Sequence, residues 1–332
     1  MTDADCARAI PCRDLLFQMK RLRSLEESIA ERYPEGRMRC PVHLSTGQEA
    51  VSAAVGLTLR PTDLAVSGHR AHTHYLGKGG SMQRMLAEIY GKASGCSRGK
   101  GGSMHLIDES IGFKGSTAIV GGTVPVGTGL GLSIRRRGSD QVACVFLGDA
   151  VVEEGVFFES VNFAVLHRLP VLYVCENNLF SVYSPLRVRQ PAGRAIHRMV
   201  AGLGIPTAAG DGNDPEAVYM TCLDAVNGIR AGRGPVFVEF ATYRWREHCG
   251  PNFDNDIGYR TEDEFLAWKD RDPLAAYQRR LIDQGVVSVS DVAAMDRAVE
   301  EEVVAAFAFA ESSPFPNRET AADDVYSRGA NS

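Results

Sequence analysis

The sequence predicts an α/β protein with a doubly wound, mainly parallel sheet and a helical C-terminal extension. Strand-like and helix-like segments alternate along most of the 332 residues, as expected where helices connect parallel strands. The clearest unit spans 142–178, where two short β-branched runs flank one helix-length crossover. A crossover of this length joins parallel strands with a right-handed connection.

The first part of the chain is expected to be mostly helical. Helices are predicted over 13–33, which is amphipathic and charged, over 47–59, which is rich in small residues, and over 81–92, which begins after the cap Ser81. A short strand is predicted over 64–67.

A glycine-rich stretch over 94–123 is expected to be largely loop, and a loop this long in a compact domain is usually functional. Pro125 is expected to begin the next helix. Neither glycine pattern here fits a nucleotide site. The spacing before Lys100 is one residue too short for a P-loop, and the run Gly127–Gly131 lacks the dinucleotide-binding spacing.

The second half continues the alternation. The crossover is expected to contain a helix over 153–168, and 184–200 is expected to be a loop entering a helix. Strands over 205–209 and 235–241 enclose a predicted helix over 214–231.

A polar, aromatic stretch without periodicity, 243–263, is expected to form a second active-site loop. The charged tail 270–312 is expected to be helical, and Ser313–Pro316 ends it. We find no linker or repeat, which predicts a single domain over 1–332. It would comprise an α/β core over 13–269 and a helical extension over 270–332.

Composition narrows the functional classes. The net charge of −5 does not favour binding to nucleic acid or to an anionic membrane. No apolar run approaches the roughly 20 residues needed to span a bilayer. The acidic N-terminus lacks the core of a signal peptide. Eight cysteines, including Cys6, form no Cys-x-x-Cys pair, which is typical of a reduced, cytoplasmic protein.

Asp149 and Asn178 carry the strongest chemical signal. Each follows a predicted parallel strand, and ligands of open α/β sheets bind at the carboxyl ends of the strands. One carboxylate and one amide oxygen suit Mg²⁺, which completes its coordination with water and substrate phosphates. Taken alone, Asp149 could equally be a helix cap and Asn178 a turn residue.

The run Gly148-Asp149-Ala150, the helix-length spacer and Asn177-Asn178 resemble the thiamine diphosphate fingerprint. From about Asp14 to Tyr326 the chain resembles the α subunit of the decarboxylating component of 2-oxo acid dehydrogenase complexes, in the pyruvate/acetoin branch. The resemblance implies the thiamine diphosphate-binding fold of the diphosphate-binding type, with thiamine diphosphate and Mg²⁺ as cofactors.

The resemblance also assigns residues at the metal end. Asp149 and Asn178 would bind Mg²⁺, with the backbone carbonyl of Phe180 as a third protein ligand. Three neighbours of Asp149 are implied to contact the cofactor as well: Gly148, Ala150 and Val151. Glu153-Glu154 replaces the Asn-Gln usual in the family, and these carboxylates are expected to suit a helix N-terminus or to face a partner.

The histidine-rich run SGHRAHTHYL (67–76) supports three readings: a zinc site, a polar loop, or cofactor binding. By the resemblance, Arg70 would bind the terminal phosphate through its planar guanidinium, with His69 beside the cofactor. His72 would face the substrate as a proton donor or carboxylate partner. Pyruvate dehydrogenases carry tyrosine at the position of His69, whereas acetoin dehydrogenases often carry histidine there and at the position of His74. An acyloin therefore stays an alternative substrate.

Two further segments match family motifs. The backbone of Ala118 and Val120 would hold the aminopyrimidine of the cofactor, although read alone the segment is a short buried strand. His248 would be a second catalytic histidine that also contacts the cofactor, against the alternative of a solvated loop. Cys249 stands where mammalian pyruvate dehydrogenases carry a regulatory serine, so phosphorylation at that position is not expected.

The resemblance covers only the diphosphate-binding half of such an enzyme. It implies a β subunit that carries the pyrimidine-binding half, in an α₂β₂ assembly, and a lipoyl-bearing acyltransferase or another molecule as acceptor of the fragment. The expected reaction is decarboxylation of a 2-oxo acid, or cleavage of an acyloin such as acetoin. Transketolase-like carboligation to an aldehyde and a non-catalytic, stabilising subunit remain as alternatives.

Overall fold

The computed structural model describes residues 10–323, which form a six-stranded, fully parallel sheet with helices on both faces. Predictions for the N-terminal segment with Cys6, and for the last residues of the extension, lie outside the described residues. The strands are β1 Leu64–Ser67, β2 Phe113–Ser116, β3 Ala143–Gly148, β4 Val171–Asn177, β7 Thr207–Asp211 and β8 Val236–Ala241, with a small separate hairpin of β5 Phe180–Ser181 and β6 Ser184–Pro185.

The strand order, β2-β1-β3-β4-β8-β7, places a topological switch point between β1 and β3. From β1 the chain turns to one side to form β2 and then crosses to the other side to form β3. The loops after β1 and β3 therefore leave in opposite directions and open a crevice at the carboxyl edge. The strand–helix–strand prediction for 142–178 is confirmed, since β3 and β4 pair in parallel with Gly148 opposite Glu176.

The helices cover the two faces of the sheet. In chain order they are α1 Cys12–Arg32, α2 Glu49–Thr58, α3 His72–Gly77, α4 Met82–Ile89, α5 Thr123–Arg136, α6 Gly155–Leu166, α7 Leu186–Arg189, α8 Ile196–Ala201, α9 Pro215–Arg230, α10 Glu262–Lys269, α11 Pro273–Asp283 and α12 Val289–Ser312. No helix among the described residues is long and apolar enough to cross a membrane.

Two apolar clusters, one on each face, hold the sheet between the helices. Alternation along β3 divides its side chains, so that Cys144 and Phe146 join one cluster while Val145 and Leu147 join the other. Strands buried on both faces read as continuous apolar runs, which is why this strand was evident in the sequence. Full burial of each such side chain contributes about 1.5–3 kcal/mol.

The C-terminal helices belong to the main core. Leu281 of α11 and Phe307 of α12 lie in the same apolar cluster as Leu15 of α1. Ion pairs flank this contact, for example between Lys20 and Asp296 at 2.6 Å. The predicted extension is therefore helical, and it completes the hydrophobic core of one face.

Several local predictions need correction. The stretch 94–123 is largely loop, as predicted, but it also contains the edge strand β2, whose four residues include a glycine and only one large apolar side chain, too few for a periodic signal. The polar-loop reading of 67–76 holds only for 68–71, because Ser67 ends β1 and the buried helix α3 begins at His72. The helix expected at Pro125 begins at Thr123, because proline is tolerated in the first turn.

Two helix boundaries also differ. The crossover helix begins at Gly155, after a 3-10 turn over Asp149–Glu153. The helix α10 begins inside the expected loop 243–263, where the Thr261 hydroxyl caps it by accepting from the Glu264 N–H.

Candidate active site

A cavity of about 300 Å³ opens at the carboxyl edge of the sheet, at the switch point between β1 and β3. Every residue that the resemblance assigned to the cofactor or metal lies in its wall: His69, Arg70, Ala118, Val120, Gly148, Asp149, Ala150, Val151, Asn178, Phe180 and His248. These residues come from five separate loops, which the parallel strands bring to one edge.

The metal end of the cavity contains Asp149 and Asn178. The Asp149 side chain is only 2% exposed at the start of the 3-10 turn that follows β3. Asn178 follows β4, and its Nδ2 donates to Gln48 Oε1 at 3.1 Å while its Oδ1 accepts from the Phe180 N–H at 3.2 Å. Leu179 between them has φ of +71°, a strained conformation that typically occurs at functional sites.

The Asp149 carboxylate accepts a hydrogen bond from Nη2 of Arg189. Burial raises the pKa of this carboxyl above its usual range, and the Arg189 guanidinium opposes that shift. The same guanidinium reaches Glu153 through Nη1 at 2.6 Å, so Glu153 faces a cation of its own chain rather than the cavity. Glu154 is exposed.

Three histidines meet at the other end: His43, His69 and His248. Their ring centroids lie 4.6–5.2 Å apart, and one nitrogen of each ring lies within 4.8 Å of one nitrogen of each of the other two. Nδ1 of His43 is buried without a hydrogen-bond partner. We missed His43 in the sequence because it is a single histidine in a loop, far along the chain from the other two.

Burial is the main reason that these imidazoles resist protonation. It lowers the pKa of His43 to about 2, that of His69 to about 4 and that of His248 to about 3, and the Arg70 cation lowers each of them further. All three rings are therefore neutral at neutral pH. A neutral imidazole offers one N–H donor and one acceptor nitrogen.

Arg70 connects the two loops that carry these histidines. Its Nη1 donates to the Leu44 carbonyl and its Nη2 donates to the His248 carbonyl at 3.2 Å. Burial lowers the pKa of this guanidinium to about 10, with the nearby Arg244 contributing, yet the side chain stays charged at neutral pH. A buried cation in the wall of a cavity favours an anionic ligand there.

His72 differs from the expectation that it faces the substrate. The ring is fully buried, it does not line the cavity, and both of its nitrogens have partners. Nδ1 lies 2.7 Å from Glu26 Oε1, and Nε2 lies 2.7 Å from Ser103 Oγ. The cause is α3, which turns His72 inward and leaves His69 and Arg70 at the cavity wall.

A second buried pair forms one wall. Nε2 of His74 lies 3.0 Å from Glu176 Oε2, Nδ1 lies 2.7 Å from Ser67 Oγ, and the ring stacks on Phe146 at 3.9 Å. Glu176 Oε1 is buried without a partner. The sequence placed Glu176 at the end of β4, but nothing in it indicated that this carboxylate would meet His74.

The segment Ala118–Gly121 forms the rim of the cavity. Ile119 is 69% exposed and Val120 is 44% exposed, so the segment is not the buried strand that it resembles when read alone. Ala118 is not among the described residues with positive φ, and alanine therefore replaces glycine there without strain. Gly121, at φ +75°, does need glycine.

Comparison with known proteins agrees with this geometry. A family model described as "Dehydrogenase E1 component" matches residues 17–319. The chain is 35% identical to the pyruvate dehydrogenase E1 component subunit alpha of Rickettsia typhi over 305 residues, covering 92% of each chain. It is 35% identical to that of Rhizobium meliloti, covering 90% of this chain and 85% of the relative. It is 34% identical to the chloroplastic subunit alpha-3 of Arabidopsis thaliana, covering 92% and 72%.

Proposed function

Because this chain belongs to the dehydrogenase E1 component family, we propose that it is the α subunit of a thiamine diphosphate-dependent enzyme that decarboxylates a 2-oxo acid. The observation that carries this function is the cavity at the switch point. Hard oxygen donors line one end of it, and a buried arginine with three neutral histidines lines the other. Pyruvate is the first substrate to try, given the relatives' names, with an acyloin such as acetoin as the second.

The residues present fit the cofactor. Asp149, Asn178 and the carbonyl of Phe180 would hold Mg²⁺, because a sparse oxygen set leaves positions for phosphate oxygens and water. Arg70 and His248 would bind the diphosphate, and His69 lies beside them in the same wall. The unpartnered Nδ1 of His43 supports a polar ligand at this end, since buried polar atoms normally have partners. When bound, thiamine diphosphate supplies the electron sink for decarboxylation.

The side chains of this protein would bind and orient the anionic ligand and transfer protons. Arg70 is a fixed cation for an anionic group, and the neutral imidazoles of His69 and His248 can each donate a hydrogen bond to it. A neutral imidazole can also accept a proton during the reaction, and His248 is the candidate for that role. His72 would act as a positioning residue, because its contacts join α1 and the loop of Ser103 rather than the cavity.

A β subunit is the expected partner, since the chain resembles only the diphosphate-binding half of the active site. The exposed Ile119 and Val120 at the cavity rim support a partner there, because an apolar rim gains from being covered. We further propose an α₂β₂ assembly, transfer of the fragment to a lipoyl-bearing acyltransferase, and a cytoplasmic location. The names of the relatives favour decarboxylation of a 2-oxo acid over carboligation and over a non-catalytic subunit.

Calorimetric titration of thiamine diphosphate with Mg²⁺ tests the proposal, with and without the β partner. We expect tight binding that requires the metal and the partner and that Asp149→Ala abolishes. An enzyme that binds is then assayed for 2-oxo acid decarboxylation with a lipoyl acceptor and with an aldehyde acceptor. Failure to bind under every condition would overturn the proposal and favour a stabilising subunit.

A further inference from the structure

The segment 182–194 carries a cation into the proposed metal end of the cavity. Arg189, at the end of α7, has only 11% of its side chain exposed and donates from Nη2 to the Oδ2 of Asp149. Its Nε donates to the Ser184 carbonyl at 3.1 Å, which holds the guanidinium against its own segment. A residue 40 positions away in the chain thus neutralises the buried Asp149 carboxylate.

Glu153 also binds the segment 182–194, through two hydrogen bonds. Its Oε1 accepts from Arg189 Nη1 at 2.6 Å and from Gln190 Nε2 at 2.7 Å. Arg194 Nη1 in turn donates to Gln190 Oε1 at 3.2 Å. Two consecutive side chains therefore attach the segment to the 3-10 turn that begins with Asp149, and the attachment is electrostatic rather than apolar.

A guanidinium and a metal ion compete for the same oxygen. A bare carboxylate buried at 2% exposure is costly, so the metal-free chain is stabilised by a cation from within. Mg²⁺ binds oxygen at close range with strict geometry, and a guanidinium already bonded to Oδ2 occupies that approach. Binding of the metal at Oδ2 of Asp149 breaks the Arg189 contact with that oxygen, whereas the Glu153 contact needs no change.

We propose that Arg189 is a displaceable internal cation, which holds Asp149 and the segment 182–194 together until a divalent metal replaces it. Metal affinity then includes the free energy needed to release Arg189. The segment is freed from Asp149 only when the metal end is filled, which couples metal binding to the conformation of this surface. The inference rests on the proposed function, because it needs Asp149 to bind a metal.

The test measures metal affinity directly, with Mn²⁺ as the probe and its free-ion electron spin resonance signal as the readout, on the full-length chain with its β partner. We compare wild type with Arg189→Gln. The matched control is Arg187→Gln, which removes the same charge from the same segment; Arg187 is exposed and has no side-chain hydrogen bond among the described residues. Asp149→Asn identifies the binding that belongs to this site.

We expect Arg189→Gln to bind Mn²⁺ about tenfold more tightly than wild type, a typical coupling between competing states, and Arg187→Gln to match wild type. Without metal, Arg189→Gln should unfold at a lower temperature, and Mn²⁺ should raise that temperature more than in wild type. Arg189→Lys keeps the charge but loses the several N–H donors of the guanidinium, so its Mn²⁺ affinity should lie between those of wild type and Arg189→Gln.

The outcomes separate the two proposals. Equal Mn²⁺ affinity in wild type, Arg189→Gln and Arg187→Gln, with Asp149-dependent binding intact, would overturn the displaceable cation and leave the proposed function standing. Equal gains in both glutamine variants would mean general electrostatics and would overturn it as well. Absence of Asp149-dependent binding in every variant would overturn both proposals.

Discussion

The Nδ1 atom of His72 lies 2.7 Å from Oε1 of Glu26, and both side chains are fully buried away from the cavity. Oε2 of the same carboxylate accepts from the Ser45 N–H at 2.6 Å. Glu26 therefore joins helix α1 to the loop that carries His43 and to helix α3 beyond it. A residue that the resemblance placed against the substrate instead organises the loops around the cavity.

Removal of Glu26 should destabilise the fold more than it alters any ligand contact. Glu26→Ala leaves the buried Ser45 N–H and His72 Nδ1 without partners, and we expect a loss of about 3–5 kcal/mol in the free energy of unfolding. Glu31→Ala is the matched control, since Glu31 lies exposed on the same helix and should change stability by less than about 0.5 kcal/mol. Denaturant unfolding of the full chain measures both, and equal stability of the two variants would contradict this role.

Acid should destabilise the ligand-free chain through the three-histidine cluster of His43, His69 and His248. Folding lowers their pKa values from 6.5 to about 2, 4 and 3, respectively. Below about pH 6.5 the unfolded chain therefore binds more protons than the folded chain. The free energy of unfolding should fall as the pH drops from about 6.5 towards 4, and above about pH 7 these groups should add no pH dependence.

The measurement is denaturant unfolding at several pH values. His43→Asn should reduce the slope of stability against pH between about pH 6.5 and 4, because one of the resistant groups is gone. His167→Asn replaces an exposed histidine outside the cluster and should leave the slope as in wild type. A slope that His43→Asn does not change would mean that other groups control acid unfolding.

Arg70→Lys tests whether geometry matters at this cation as well as charge. Arg70 bonds the carbonyls of Leu44 and His248 with two separate nitrogens, and a lysine has only one. We expect a loss of about 1–3 kcal/mol from the orphaned carbonyl, together with faster proteolysis in the loop that carries His248. Unfolding and limited proteolysis measure the two effects, and a variant identical to wild type in both would show that the charge alone is needed.

The fold and most of the cavity wall could be predicted because their signals are local. Strand β3 is apolar throughout, and Asp149 follows it directly, so the position of that carboxylate follows from the pattern of one segment. His43 and Arg189 could not be predicted, because each meets the site through a contact between distant loops that no periodicity records. His72 was assigned the wrong surroundings, since three histidines in six residues do not reveal that α3 turns one of them into the core.

Two glycines of helix α5 give the sharpest test of how the sheet is packed. A Cβ added at Gly127 would lie 2.2 Å from Val145 Cγ2 and 3.0 Å from Val66 Cγ2, so the helix would have to move away from β1 and β3. A Cβ at Gly129, two residues further along and on the exposed side of the helix, would have no atom within 4 Å. Gly127→Ala should therefore lower the free energy of unfolding by about 1–3 kcal/mol through overpacking.

Gly129→Ala should leave stability unchanged or raise it by up to about 1 kcal/mol, because alanine favours the helix and nothing obstructs its methyl group. The two variants share the same chemical change, the same helix and the same propensity gain, so the difference between their unfolding free energies isolates the contact with the sheet. Since Asp149 follows β3 directly, displacement of α5 should weaken metal binding in Gly127→Ala as well. Equal stability in the two variants would mean that α5 does not pack on the strands as closely as described.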